Sequence, residues 1–181
     1  MAMGRSFRRW LFIVSPLLLI AGTAHADQAS LLPPASTVEL RSYGFGLLPL
    51  DGKFTRFHGW IRYDAANPGA CQVVLEMEAA SLAMANDSIR ERITGPEMMD
   101  VARFPTLAFH GACQGETVAG TLTMHGQTHP FSMDFVRSGG MITATGRLRR
   151  ADWGITGSPL VGGSTVRIQM TIPDPISGIR I

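Results

Sequence analysis

Lysine is almost absent from this chain. Lys53 is the single one, and basic residues nowhere form a run. Nucleic-acid binding needs several cations set against phosphates, so nothing supports that class of function. Cysteine is scarce as well. Its 2 residues form no thiolate cluster for zinc and no Cys-x-x-Cys-His for covalent haem attachment. A haem held by His and Met alone stays open on sequence grounds. His-Glu-x-x-His is missing, and so is a nucleophile elbow, since Gly157-Ser158-Pro159 and Gly163-Ser164-Thr165 read as ordinary loops. There is no internal repeat and no low-complexity segment.

Long apolar runs are missing too, with one partial exception. Trp10 to Ile20 is apolar apart from Ser15 and Pro16, and is short against the roughly 20 residues that span a bilayer. Arg5, Arg8 and Arg9 precede it, and Ala24-His25-Ala26 follows as a small-x-small cleavage site. That order is a secretory signal peptide, residues 1–26, with a mature periplasmic chain starting at Asp27. The whole chain has 16 Lys+Arg against 14 Asp+Glu; the leader holds three of the Arg and no acid, so the mature chain has 13 against 14 and a net charge of −1. Residues 27–181 suit one domain with a sizeable core.

That mature chain alternates. Val118, Gly120, Leu122 and Met124 share one face of a strand, and Thr121, Thr123 and His125 the other. This period of two marks a half-buried antiparallel strand. His125 to His129 reads as the turn, after which Phe131, Met133 and Phe135 resume the apolar face. The same pattern runs through Val38-Leu40-Ser42, Phe57 to Tyr63, Gln72 to Glu78, Thr106 to Ala112, Met141 to Leu148 and Thr165 to Ile172. Asp51-Gly52 reads as a turn, Leu31 to Ala35 as irregular, and the tail from Pro173 as a terminal extension. One stretch differs: Asn86 or Asp87 can cap a helix carrying Ile89 and Ile93, stopped by Gly95-Pro96. The expected fold is mainly β: an eight-stranded antiparallel barrel with one short helical insertion over one end. Gly120 and Gly146, on the inward parity, either let the barrel bend or leave room for a ligand.

Cys71 opens one strand and Cys113 closes another. If those strands are antiparallel neighbours, both sulfurs point the same way, and export permits a disulfide. Other polar groups have plain readings. His125 and His129 are turn or surface residues, and His58 and His110 lie on the outward parity, so no metal site is expected. Glu76 and Glu78 face solvent, Asp87, Arg90 and Glu91 form a solvated helix face, and Asp152 bonds its local backbone. Arg103, Arg149 and Arg150 are candidates for contacting a lipid head group at a barrel rim. No residue is expected to be catalytic.

Four segments together resemble the YceI-like family of periplasmic, lipocalin-like barrels associated with polyisoprenoid binding: GKFTRFHGWIRYD at 52–64, the run at 75–111 with Phe104-Pro105-Thr106, VAGTLTMHGQTHPF at 118–131 and GRLRRADWGI at 146–155. The resemblance covers residues 36 to 172. Two departures stand out. Pro34-Ala35-Ser36 replaces an Asp-x-x-His-Ser opening, and Met98-Met99 replaces an aromatic pair between Glu97 and Asp100.

The resemblance implies an apolar cavity holding an isoprenoid lipid, either a polyprenyl chain or a quinone tail, with no other cofactor required. The implied lining is Leu40, Phe57, Ile61, Val73, Leu75, Met77, Leu107, Phe109, Leu122, Met124, Phe131, Met133, Phe135, Ile142, Leu148, Val166, Ile168 and Met170. Such a chain gains about 0.8 kcal/mol per CH2 removed from water, and methionine thioethers adapt to an irregular guest. The helix around Asn86–Ile93 and the Leu47–Leu50 loop are candidate gates. The implied roles are transport, storage or stress protection; transient membrane contact and a homodimer are left open. The alternatives are an enzyme acting on a lipid-like periplasmic substrate and a stress-related scaffold with an empty barrel.

Overall fold

The computed structural model describes residues 27–44, 47–64, 67–157 and 163–177. The leader expected over 1–26 therefore lies outside the described residues, as does most of the Gly157–Ser164 connection. Eleven strand segments form one antiparallel sheet: β1 (Asp27–Leu31), β2 (Thr37–Gly44), β3 (Leu48–Phe54), β4 (Phe57–Asp64), β5 (Asn67–Glu78), β6 (Leu82–Met84), β7 (Thr106–Gln114), β8 (Thr117–Met124), β9 (Gln127–Ser138), β10 (Met141–Arg149) and β11 (Thr165–Pro173).

Eleven segments are not eight strands, and the register explains the difference. Leu31 pairs with Gly59 and Val38 with Phe54, so β1 and β2 run along the same neighbour, β4 then β3. Phe57 pairs with Met77 and Phe54 with Leu82, so β5 and β6 flank that neighbour on its other side. The six segments are thus three long strands, each interrupted once at the same level. The interruptions are Leu32–Ser36, Thr55–Arg56 and a single 3-10 turn at Ala79–Ser81. With β7 to β11 this makes eight strands around the sheet. Because β11 pairs with β2, the ladder closes on itself.

The crease is stitched by Ser81, which is 4% exposed. Its hydroxyl donates to Arg56 O and accepts from Arg56 N, both at 3.1 Å, while Ser81 O accepts from Thr55 N and from the Thr55 hydroxyl. Three boundaries differ from the sequence reading for local reasons. Asp51-Gly52 is no turn: both residues sit inside β3, opposite Arg41 and Leu40, and the chain bends instead at Thr55–Arg56. Asp27–Leu31 is a strand because β4 supplies its ladder, although only Leu31 is buried. The β8–β9 turn is only His125–Gly126, both at positive φ (52° and 73°), as a two-residue hairpin of this hand requires; Gln127 to His129 already belong to β9. The tail is also anchored: Asp174 N bonds Gly140 O, and its carboxylate pairs with Arg137 at 2.7 Å.

Helix α1 (Asp87–Thr94) starts where expected, the Asn86 side chain accepting from Ile89 N at 3.0 Å. Buried Ile93 and Met98 turn the 87–105 excursion onto the sheet, and Phe104 packs on His125 with ring centroids 4.5 Å apart. One end of the barrel is thus lidded. It gathers the β2–β3 tip, the 87–105 excursion, the β8–β9 turn and the 3-10 turn Arg150–Trp153.

At the opposite end Cys71 and Cys113 are bonded, their Cα atoms 4.8 Å apart. The pairing Gln72↔Ala112, continued one step, sets them directly opposite each other. The loop they close has a sequence separation of 42, for which chain entropy in the unfolded state is worth about 4 kcal/mol. Reduction, or Cys71→Ser with Cys113→Ser, is expected to lower unfolding free energy by about 2–4 kcal/mol in a urea titration, with the fold retained. A loss under about 0.5 kcal/mol would contradict this.

Candidate functional site

The inward faces of the strands meet in one apolar cluster, with Phe109, Leu31, Leu82, Leu122 and Val38 among its deepest members. The interior is not one tube. A cavity of about 90 Å³ lies under the lid, lined by Val38, Leu40, Phe54, Met77, Ile93, Met98, Met99, Leu107, Leu122, Met124, Leu148, Ile155, Val166 and Ile168, with Arg150 at its wall. A second, of about 40 Å³, lies at the disulfide end, lined by Leu31, Ile61, Val73, Cys113, Val118, Met133, Phe135, Ile142, Ala144, Met170 and Ile172.

Fourteen of the expected lining residues fall on these two walls: Leu40, Met77, Leu107, Leu122, Met124, Leu148, Val166 and Ile168 on the first, and Ile61, Val73, Met133, Phe135, Ile142 and Met170 on the second. The other four do not. Phe57, Leu75, Phe109 and Phe131 are buried and border neither cavity. Phe109 and Phe131 meet edge to face, centroids 6.0 Å apart, and fill a waist between the two spaces.

The inward glycines serve that packing rather than a ligand. A Cβ on Gly146 would lie 2.6 Å from the tip of Phe131 and 2.7 Å from Ser132 O. A Cβ on Gly120 would clash with His110 O, so this glycine lets β7 and β8 approach. Parity identifies a residue as inward; it does not say whether that residue touches a void or a neighbour.

Polar groups inside are few. His125 and His129 belong to a scaffold around Trp153: His125 Nδ1 lies 3.1 Å from Trp153 O, His129 meets the indole edge to face at 5.2 Å, and the indole N–H donates to Leu122 O at 3.0 Å. Asp152 is exposed and its carboxylate makes no hydrogen bond among the described residues, so it does not stabilise the turn as expected. His58 pairs across strands with Glu76 at 3.5 Å, and Arg56 with Glu78; all four lie on the outer wall. The Arg56 guanidinium, mainly through its hydrogen bond, holds the Glu78 carboxyl below its ordinary pKa. Asp87 pairs with Arg90 on the solvent face of α1. Among the described residues no three His, Cys, Asp or Glu side chains come together as a metal site.

Arg150 is the exception to the apolar interior. It is 7% exposed, not the solvated rim residue its sequence context suggested. Its Nε donates to Gly163 O at 3.1 Å, Nη1 to Ile155 O at 3.1 Å and to Met98 Sδ at 3.2 Å, and Nη2 to Gly157 O at 2.6 Å. It ties the lid, the 3-10 turn and the following loop together. Arg149 and Arg103, by contrast, are exposed.

A closed eight-stranded barrel with an apolar, methionine-rich interior is the frame against which known proteins can be compared. The model of the YceI-like domain matches residues 30–173. The chain belongs to the YceI-like family. It is 28% identical over 137 residues to a UPF0312 protein of Vibrio cholerae, covering 66% of this chain and 72% of that one. It is 29% identical over 99 residues to a UPF0312 protein of Pseudomonas savastanoi, spanning about half (52%) of that relative's length.

Among solved structures it is similar to Burkholderia cenocepacia BcnA, with a TM-score of 0.61 at 18% identity, covering 75% of this chain and 94% of that one. It is also similar to a domain from Saccharophagus degradans described as polyisoprenoid-binding and implicated in plant cell wall breakdown, with a TM-score of 0.57 at 17% identity, covering 81% and 97%. At these identities the two structures establish the fold. In this YceI-like protein, Met98 and Met99 line the larger cavity.

Gly146→Ala is expected to cost about 1–3 kcal/mol in thermal or urea unfolding, because the Phe131 ring and the Ser132 carbonyl must both give way. An unchanged or raised stability would mean that the waist is loosely packed.

Proposed function

We propose that this protein is a periplasmic binding protein that holds an isoprenoid lipid, a polyprenyl chain or quinone tail, inside its barrel and performs no turnover. One observation carries the reading. The larger cavity is lined mainly by hydrocarbon and thioether, with Met77, Met98, Met99 and Met124 on one space and Ser42 and Arg150 as the buried polar side chains on its wall. The description of the Saccharophagus relative as a polyisoprenoid-binding domain supports it.

At about 90 Å³ the cavity is smaller than the roughly 150 Å³ that an engineered core needs to hold benzene. A prenyl chain therefore enters by displacing side chains. Methionine, unbranched with several rotatable bonds, is the cheapest residue to displace. Passage beyond the first few isoprene units requires Phe109 and Phe131 to swing apart. The lid end is the natural mouth. Beside it the β2–β3 tip exposes Tyr43 (47%), Leu47 (85%) and Leu48 (59%), an apolar edge suited to transient contact with a membrane that supplies the lipid. The leader expected over 1–26 supports a periplasmic setting for this exchange, in service of transport, storage or stress protection. The enzyme alternative needs an acid–base pair facing the cavity. Among the described residues the buried polar side chains are Ser36, Ser42, Ser81 and Arg150, which offer no such pair.

Native mass spectrometry of the protein from its own periplasm, followed by solvent extraction, tests the reading. The expected result is a chain starting at Asp27 with one adduct per molecule and a mass ladder in isoprene steps. An unliganded mass with no extractable lipid would contradict it.

A further inference from the structure

The outer wall sorts its charges to one side. Residues 27–181 hold 13 cations and 14 acids. Five of those cations, Arg41, Lys53, Arg147, Arg149 and Arg167, stand exposed on the outward faces of four neighbouring strands, β3, β2, β11 and β10. Three acids stand among them: Glu39, Asp51 and Asp152. The rest of those residues keep eight cations against eleven acids.

The register shows how crowded this face is. Arg147 lies directly opposite Arg167, and Arg167 directly opposite Arg41. Three guanidinium groups thus follow one another across adjacent strands, at a strand spacing of about 4.8 Å. Like charges set directly opposite each other destabilise a sheet. Arg41 is balanced on the next strand, where the Asp51 carboxylate accepts two hydrogen bonds from it. Arg147 and Arg167 are not balanced. All 14 acids of the sequence lie among the described residues, and neither arginine pairs with any of them. The isolated fold gains nothing from the row.

Two recesses flank it. One, of about 570 Å³, opens among Glu39, Arg41, Lys53, Arg167 and Gln169. The other, of about 520 Å³, opens among Ser132, Arg147, Arg149, Asp152 and Thr165, just past the point where the β9–β10 ladder stops at Asp134↔Thr145. Tyr43 stands on the same face of β2, two residues from Arg41. Arginine and tyrosine are the residues that dominate the energetics of protein–protein contacts, whereas lysine is depleted there.

We propose that this face docks an acidic protein surface, whose carboxylates enter the two recesses and balance Arg147 and Arg167. The interleaved acids favour a protein over a uniformly anionic bilayer. Such a bilayer would repel Glu39 and Asp51, whereas a protein can set a cation of its own against Glu39. Because the charges are exposed, the contact is fast to form and sensitive to salt. The face lies on the outside of the barrel, so the proposal is independent of what the barrel holds.

The test uses the whole chain, produced in its native cells with a photo-cross-linking residue in place of Thr165 on this face. The control carries it in place of His110, exposed on β7 across the ring. The expected result is a discrete protein adduct from position 165 and none from position 110. The adduct partner, identified by mass spectrometry and purified, is then titrated against the protein. Binding is expected to weaken at least tenfold between about 50 and about 300 mM NaCl. It is expected to weaken at least tenfold in Arg167→Glu, and to stay within about threefold in Arg167→Lys. Arg167→Glu sets a carboxylate between Arg147 and Arg41, so its melting temperature is expected to rise by about 2–4 °C, which separates lost docking from lost folding.

The absence of an adduct at position 165, or equal adducts at both positions, would overturn the proposal. Adducts made of lipid rather than protein would overturn it in favour of a membrane surface. A partner that bound Arg167→Glu as tightly as the unaltered protein would overturn it too. So would a melting temperature that did not rise, because the row would then be balanced already.

Discussion

Closure of the hydrogen-bonded ladder is the constraint from which the rest follows. Eight strands run around a ring in which β11 returns to β2, and only the short β1 and β6 segments keep one unpaired side each. Once the ring is shut, every second residue of each strand points inward, and the interior is whatever those positions carry. Here they carry Leu, Ile, Val, Phe and Met. Three neighbouring strands are too long for one smooth curve and crease at one level. Buried Ser81 replaces the missing ladder bonds there with side-chain ones. The crease lets one continuous wall both curl into a barrel and carry the lidded end.

The interior that results is closed but unevenly filled. At the waist, aromatic rings pack against Gly146 and against each other. On the lid side the filling is methionine, which leaves more space and resists displacement less. Stability is therefore concentrated at the waist and the disulfide end. The adaptable volume sits under the 87–105 excursion, next to the buried Arg150. A binding protein gains from that division, because the elements that must move for a guest are not the ones that hold the ring together.

Much of this was legible in the sequence for a physical reason. A barrel strand is half-buried along its length, so period-two alternation marks it directly. The eight strands, a helix cap at Asn86 or Asp87 and the Cys71–Cys113 pairing could all be read from parity and spacing. What could not be read depended on partners distant in sequence. Asp27–Leu31 is a strand because β4 lies beside it, and its own residues carry little β signal. The bend at Thr55–Arg56 depends on a serine 25 residues away. The site was half legible. Parity found the inward residues but not that Phe57, Leu75, Phe109 and Phe131 border neither cavity, nor that Phe109 and Phe131 fill the waist. It also missed Ile93, Met98, Met99 and Ile155, which reach the cavity from the lid and a turn where no period applies. Arg150 was visible in the Arg-Ala-Asp-Trp-Gly-Ile run, but a charged residue beside a turn is ordinarily solvated. Its burial comes from the fold.

The claim that the methionine-lined space under the lid opens around a prenyl chain can be tested by NMR of ¹³C-methyl methionine during titration with a polyprenyl lipid. The account predicts large shifts for Met77, Met98, Met99 and Met124, and shifts for Met133 and Met170 once the chain is long enough to pass Phe109 and Phe131. Met141, on the outward parity of β10 opposite Pro173, is predicted to stay still. Saturable binding that moved Met141 but none of the four under the lid would contradict the account, because the lipid would then sit on the outside of the barrel.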